Sequence, residues 1–100
     1  MPKGYWIIHV DVKDTENYPK YLAQDALAFE KYKPKFLVRG GRCEGPEGDI
    51  RSRHVVVQFE SYEQAVECYQ SDEYQKAVTL RQAYSDSEVI IVEGIDERNW

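Results

Sequence analysis

Lys35-Phe36-Leu37-Val38-Arg39 and Val55-Val56-Val57-Gln58-Phe59 stand on either side of Glu44-Gly45-Pro46-Glu47-Gly48-Asp49. The two flanking runs are rich in β-branched and aromatic residues, the composition of a pleated, half-buried strand. The stretch between them is crowded with glycine, proline and acidic residues and is too short for a helix. The reading is therefore a hairpin, with strands over Lys35–Cys43 and Arg51–Glu60. Strands joined this way are antiparallel neighbours, so everything else must be arranged around that pair.

Moving outward, Gly4–Val12 (Gly-Tyr-Trp-Ile-Ile-His-Val-Asp-Val) reads as a further strand that breaks at Lys13-Asp14. From Asn17 to Tyr32 the period changes. Tyr18, Leu22, Ala26 and Phe29 recur three or four apart, with Lys20, Gln24, Asp25 and Lys31 between them, which is an amphipathic helix. Asp14 or Asn17 can cap it; Pro19, comfortable only in the first turn, favours Asn17. Pro34 ends it. After the hairpin, Ser61 with Gln64 fits a capping box, and Ala65, Val66 and Tyr69 supply an apolar side. Ser71-Asp72-Glu73 is a second start, opening a helix lined by Tyr74, Ala77, Val78, Arg81 and Tyr84. Asp86-Ser87 reads as a break, Glu88–Ile95 as a fourth strand, and Asp96–Trp100 as a polar tail. The order is βαββαβ with an interrupted second helix. Right-handed crossovers around a hairpin give a four-stranded antiparallel sheet in order 4-1-3-2, with both helices on one side. This is a ferredoxin-like α+β fold, expected to form a single domain over residues 1–95.

Composition limits the function classes. Eighteen acidic residues against thirteen basic ones leave a net charge of −5, which builds no basic face for a phosphate backbone and argues against nucleic acid as a partner. No apolar run approaches the roughly 20 residues of a membrane span, and Met1-Pro2-Lys3-Gly4-Tyr5 lacks the apolar stretch of a signal peptide. Cys43 and Cys68 form no CxxC pair and read as reduced packing thiols of a cytoplasmic protein. Gly40, Gly41, Gly45 and Gly48 precede no helix, so no phosphate cradle is implied.

Strand alternation sorts the sheet into two faces. One set is apolar throughout and belongs under the helices: Trp6, Ile8, Val10, Val12, Phe36, Val38, Val55, Val57, Phe59, Ile90 and Val92. The other mixes Tyr5, Ile7, Leu37, Val56, Val89 and Ile91 with His9, Asp11, Arg39, Cys43, His54, Gln58, Glu60 and Glu93. Such a half-apolar surface marks a binding face, and a second copy packed sheet against sheet would bury it, so a homodimer is expected. With Ile8 set opposite Val57, Asp11 faces His54 and Ile7 faces Gln58. Glu93 then lies beside Ile7 and Arg39 near Val56, so that His9, Asp11, Arg39, His54, Gln58 and Glu93 share one wall.

Each of these residues has a chemical and a structural reading. His54 with Asp11 is either a general base oriented by a carboxylate or a cross-strand hydrogen-bonded pair. His9 is a proton relay or a polar lining residue. Arg39 needs an anion, which a substrate carboxylate or enolate supplies as well as Glu93 does. His9, His54 and Glu93 would make a two-His-one-carboxylate set, but across three strands they form no local motif, and no metal or organic cofactor is expected.

Finally, Gly4-Tyr5, Asp14 with Tyr18 and Tyr21, Tyr32, Arg39-Gly40-Gly41, Phe59-Glu60-Ser61-Tyr62-Glu63-Gln64-Ala65, Tyr69-Gln70-Ser71-Asp72-Glu73-Tyr74-Gln75, Arg81 and Ile91-Val92-Glu93-Gly94 resemble the domain-of-unknown-function 1330 family over nearly the whole chain. That family resembles the dimeric α+β barrels, which include cofactor-free monooxygenases, isomerases and haem proteins. The resemblance implies a dimeric barrel and draws Tyr69, Tyr74 and Arg81 into view, either at a cavity mouth or as helix packing. It leaves the reaction open, because one fold hosts many chemistries. Two functions follow as expectations. In one, a small organic acid or aromatic ligand sits in a polar-lined cavity, where Arg39 holds its anionic group and His54 or His9 moves a proton in cofactor-free proton-transfer or oxygenase-type chemistry. In the other, the same residues stabilise a non-catalytic binding or structural dimer.

Overall fold

The computed structural model describes residues 2–96, so Glu97–Trp100 of the expected tail, Trp100 included, lie outside the described residues. The elements are β1 (Gly4–Val12), α1 (Tyr18–Tyr32), β2 (Lys35–Arg39), β3 (Arg53–Phe59), α2 (Tyr62–Gln70), α3 (Asp72–Tyr84) and β4 (Ser85–Glu93). They form one antiparallel sheet in the order β2-β3-β1-β4, the expected topology read from its other edge. No helix among the described residues is long and apolar enough to cross a membrane.

Local chemistry explains the helix starts. Ser61 accepts a hydrogen bond from the Gln64 backbone N–H at 3.0 Å, while the Gln64 side chain reaches back to the Glu60 N–H, also at 3.0 Å. Ser71 accepts from Tyr74 N at 3.2 Å and opens α3 directly after α2. At α1 the capping is displaced: Asn17 stands at the cap position, but it is Asp14 whose carboxylate accepts from Asn17 N at 3.0 Å. Pro19 lies in the first turn, where its missing N–H costs nothing.

The helices cover one face of the sheet, and Trp6 is the centre of what they bury. Its indole N–H donates to the Ala65 carbonyl at 2.9 Å. Its ring meets Phe29, Phe59, Tyr69 and Tyr74 with centroids 4.6–6.0 Å apart. Ile8, Val10, Val55, Val57, Ala65, Cys68, Ala77 and Val78 complete the core.

Several details differ from the sequence reading. Ile8 pairs with Val55, not Val57, so the register is shifted by two and His9, rather than Asp11, lies opposite His54. β2 ends at Arg39 instead of Cys43, because Gly40 takes a left-handed φ of 72° and turns the chain out of the sheet. Residues 40–52 then form a link longer than the turn expected. A bulge after Phe36 pairs Val38 with Val56 and Arg39 with Val55, so Arg39 moves to the helix side and Val38 to the open side. β4 begins at Ser85 and ends at Glu93, short of Ile95. Asp86-Ser87 do not break it, because Ser85 Oγ donates to the Arg81 carbonyl at 2.6 Å and Ser87 Oγ accepts from Arg81 Nε at 3.1 Å. The faces of β4 are also reversed. Val89 and Ile91 pack on the core, whereas Ile90 and Val92 are 48% and 39% exposed. Four consecutive apolar residues carry no phase, and pairing with β1 decided it.

Gly4 lies where β1 passes under the start of α2, and a Cβ there would collide with the Ser61 carbonyl and come within 2.7 Å of Tyr62 Cα. Gly4→Ala should therefore cost about 2 kcal/mol, by analogy with overpacked cores, because its neighbours are backbone and cannot rotate away. Urea unfolding of the two proteins measures this. Equal midpoints would show that α2 is not held against β1 as described.

Candidate functional site

On the open face, β1 and β3 bring His9 and His54 together, Nδ1 to Nδ1 at 2.8 Å, so one nitrogen donates and the other accepts. Asp11 does not orient His54. Its carboxylate accepts from the Ser52 backbone N–H at 2.8 Å and from Arg51 at 3.1 Å, and the Ser52 bonds, followed by Arg51, hold its pKa below the ordinary value. Arg51 also grips Glu88 through Nε and Nη2, at 2.7 and 2.5 Å, a two-pronged pair that lowers the Glu88 pKa. These residues, with Asp49 and Ile50 from the link, line a broad cavity of about 550 Å³ that opens to solvent.

Only part of the expected wall assembles there. His9, Asp11, His54 and Gln58 share the open face, Gln58 accepting from the Tyr5 hydroxyl at 3.2 Å. Glu93 pairs with Gly4, five residues along β4 from Glu88, the partner of His9, or roughly 17 Å at strand rise. Arg39 lies on the helix side, its guanidinium over the Phe36 ring at 4.2 Å. Among the described residues no three His, Cys, Asp or Glu side chains gather as a metal site.

The helix side holds a second, narrower site, between α1 and strands β1, β3 and β2. Ile8, Val10, Phe29, Phe36, Val55 and Val57 form its apolar walls, and Tyr18, Tyr21, Asp25, Arg39 and Arg53 supply its polar groups. The void is about 20 Å³, room for little more than one water. Beyond Tyr18, Leu22 and Arg53 it adjoins a dent of about 260 Å³ bounded by Val12, Thr15 and Pro19.

Asp25 is the unusual group. It is 5% exposed, and burial pushes its pKa from 3.8 up to about 7, against the opposing pull of the Arg39 charge and the Tyr21 hydroxyl. Arg53 is unusual in the opposite sense: its Nε is buried with no hydrogen-bond partner. A carboxyl poised near neutrality, in a cleft that two guanidinium groups also line, can exchange a proton with an anionic ligand held by those groups. In the sequence Asp25 reads as a polar spacer between the apolar positions of α1, not as a site residue. The signal is the run Tyr18, Tyr21, Asp25, Ala28, Tyr32, spaced three and four apart, in which a lone carboxylate stands inside an otherwise unbroken apolar stripe.

Tyr69, Tyr74 and Arg81 lie behind this cleft, not at its mouth. Tyr74 and Arg81 are 0% and 4% exposed, and Tyr69 packs edge-on against Trp6. Cys68 is buried and its thiol is pushed up to about 12, so it is a packing residue as expected. Cys43 is not; it is exposed on the link.

Because the folded protein binds a proton at Asp25 more tightly than the unfolded chain does, stability should fall as pH rises from about 4 to about 7 and then level off. Asp25→Asn should remove that slope and stabilise the protein by up to roughly 4 kcal/mol above neutrality. Denaturation midpoints of both proteins across pH 4–8 test this. Parallel curves would place Asp25 in water.

The fold is shared with structures of low sequence identity. A protein of unknown function from Rhodopseudomonas palustris superposes with a TM-score of 0.72 at 20% identity, covering 95% of this chain and 84% of that one. SnoaB, a cofactor-independent oxygenase from Streptomyces nogalater, gives 0.64 at 13% identity over the whole of both chains. A dimeric ferredoxin-like protein of unknown function from Thermobifida fusca gives 0.53 at 14% identity, covering 92% and 91%. No curated protein matches the sequence. The model of the domain of unknown function DUF1330 matches residues 3–95, and the chain belongs to that family.

Proposed function

We propose that this protein binds a small organic acid between α1 and the sheet and moves a proton on it with Asp25, as a homodimer closed over the open face. The observation that carries this reading is the buried Asp25 carboxyl, with its pKa near 7, in a cleft that also holds an unpartnered Arg53 Nε. Arg39 keeps the role of anion holder expected from the sequence, now shared with Arg53. The role of moving a proton, expected of His54 or His9, is assigned to Asp25, because the histidines bond each other on the opposite side of the sheet. The void has room for about one water, so the body of a compact ligand lies in the adjoining dent of about 260 Å³ with its acid group toward Arg53.

The chemistry is general acid–base catalysis. Asp25 in its ionised form takes a proton from a carbon next to a carbonyl, the electron pair moves to the carbonyl oxygen, and Arg39 or Arg53 stabilises the resulting enolate. Returning the proton to another atom of the same ligand completes a tautomerisation in which no electrons are gained or lost. The chain shares its fold with SnoaB, a cofactor-independent oxygenase, and the proposed proton transfer likewise calls on no cofactor.

A second copy accounts for the open face. Val38, Val56, Ile7 and Ile90 pair in turn across all four strands and make a continuous apolar row. Val38 and Ile90 are 42% and 48% exposed in one chain, a patch that face-to-face packing removes from water. The His9–His54 pair, Asp11 and Gln58 then belong to the interface. Two free thiols, one of them exposed, favour a reducing, cytoplasmic setting.

Two experiments test this reading. In a thermal-shift panel of small 2-oxo, 1,3-dicarbonyl and phenolic acids, at least one should stabilise the wild type, and Arg39→Ala and Arg53→Ala should abolish the shift. Asp25→Asn should still bind that ligand while slowing deuterium exchange at its acidic carbon about 10²-fold or more. A flat panel, or exchange that survives in Asp25→Asn, ends the reading. For the dimer, sedimentation should show two chains for the wild type and one for Ile7→Asp with an unchanged circular dichroism spectrum. A monomeric wild type would refute the closed face.

A further inference from the structure

His9 and His54 stand opposite each other on β1 and β3, the two central strands, with their Nδ1 atoms 2.8 Å apart. Two imidazole nitrogens this close either share a proton or chelate a metal ion, and the ring positions separate the two cases. The centroids are 5.0 Å apart, nearly the most that a 2.8 Å nitrogen contact allows, so each nitrogen points straight at the other ring. That line is the path of an N–H···N hydrogen bond. Two nitrogens on one metal would instead both aim at a point beside it. The pair holds a proton.

Valence limits how many protons it can carry. A neutral imidazole has one N–H, so one Nδ1 donates and the other accepts through its lone pair. A proton added to the donor ring goes to its Nε2, leaving the bond in place and making it charge-assisted. The next proton has only the accepting Nδ1 to occupy, which removes the acceptor and sets two cations side by side. The strand ladder fixes both backbones, so relief comes from the rings swinging off the face. Glu88 lies opposite His9 on β4, Asp11 follows on β1, and Asp49 and Arg51 of the link line the same cavity. Beside His54, the chain leaving β2 brings only Gly40, whose N–H donates to the His54 carbonyl at 2.9 Å. Three carboxylates against one guanidinium favour a cationic pair, but they cannot replace the acceptor that the second proton removes.

We propose that the His9–His54 pair is a pH-sensitive lock on the open face: sharing one proton, it keeps the face in the form a second copy packs against, and a second proton at the same contact parts the rings and releases that copy. The lock rests on the reading of the open face as the dimer surface and adds its regulation. The dimer binds fewer protons than two separate chains, so acid favours separation. One proton at each of two pairs lets the dissociation constant rise by up to about a hundredfold per pH unit. Asp25, on the covered side, works in the other direction, since protonating it stabilises each chain.

Sedimentation of wild type, His9→Asn and His54→Asn at about pH 8 and about pH 5 tests this, because imidazole titrates between them. The wild-type dissociation constant should rise about tenfold or more on acidification, with an unchanged circular dichroism spectrum. Each variant keeps one imidazole, which can charge without meeting another cation, so its constant should move by about threefold or less. A wild type equally dimeric at both values, or variants as sensitive as the wild type, would overturn the lock and leave the dimer standing. A wild type already monomeric at the higher value refutes the dimer and takes the lock with it. Should neither variant dimerise, nitrogen NMR of the wild-type imidazoles decides. One Nδ1 should stay unprotonated until the dimer dissociates, and an intact dimer with both Nδ1 atoms protonated overturns the lock.

Discussion

A sheet of four strands has two sides, and the helices of this chain reach only one of them. That constraint creates both sites. On the covered side, Trp6 occupies the space where α2 crosses β1 and draws Phe29, Phe59, Tyr69 and Tyr74 around itself. Between α1 and the strands the lining turns partly polar, with Asp25, Arg39 and Arg53 beside Ile8, Val10 and Val55. On the other side, the row from Val38 to Ile90 is left to something outside the chain.

The topology was legible because it rests on features that survive without tertiary information. The glycine- and proline-rich link made a hairpin of the strands around it, and Ser61 and Ser71 announced the starts of α2 and α3. What could not be read was phase. Val89-Ile90-Ile91-Val92 presents equal hydrophobicity to both faces, so its orientation was decided by pairing with β1. Arg39 follows the alternation of β2 until the bulge after Phe36 adds a residue and reverses it. Two errors in phase, one in β2 and one in β4, were enough to place Arg39 and Glu93 on a wall they do not share with His9.

The same limit explains Asp25. A helix period read from Tyr18, Leu22, Ala26 and Phe29 is rotated by part of a turn from the stripe that is buried, and an acidic residue is assigned to water by default. Burial of a carboxylate is destabilising at neutral pH, so nothing about folding selects it. The chain carries that cost in its interior although Asn or Leu would fit the same position on α1. Groups held against their solvation preference are where function is to be sought.

The proposed chemistry is placed on the covered side because of how the charged groups on the two sides are partnered. On the open face the charged groups answer one another: Arg51 bridges Asp11 and Glu88, and each histidine has the other as partner. Such closed sets stabilise an arrangement but leave no group in need of a ligand. In the cleft the balance is incomplete, with a buried Arg53 nitrogen lacking an acceptor and a carboxyl that is half-protonated near neutrality. A bound organic anion would satisfy the first, and its exchangeable proton would engage the second.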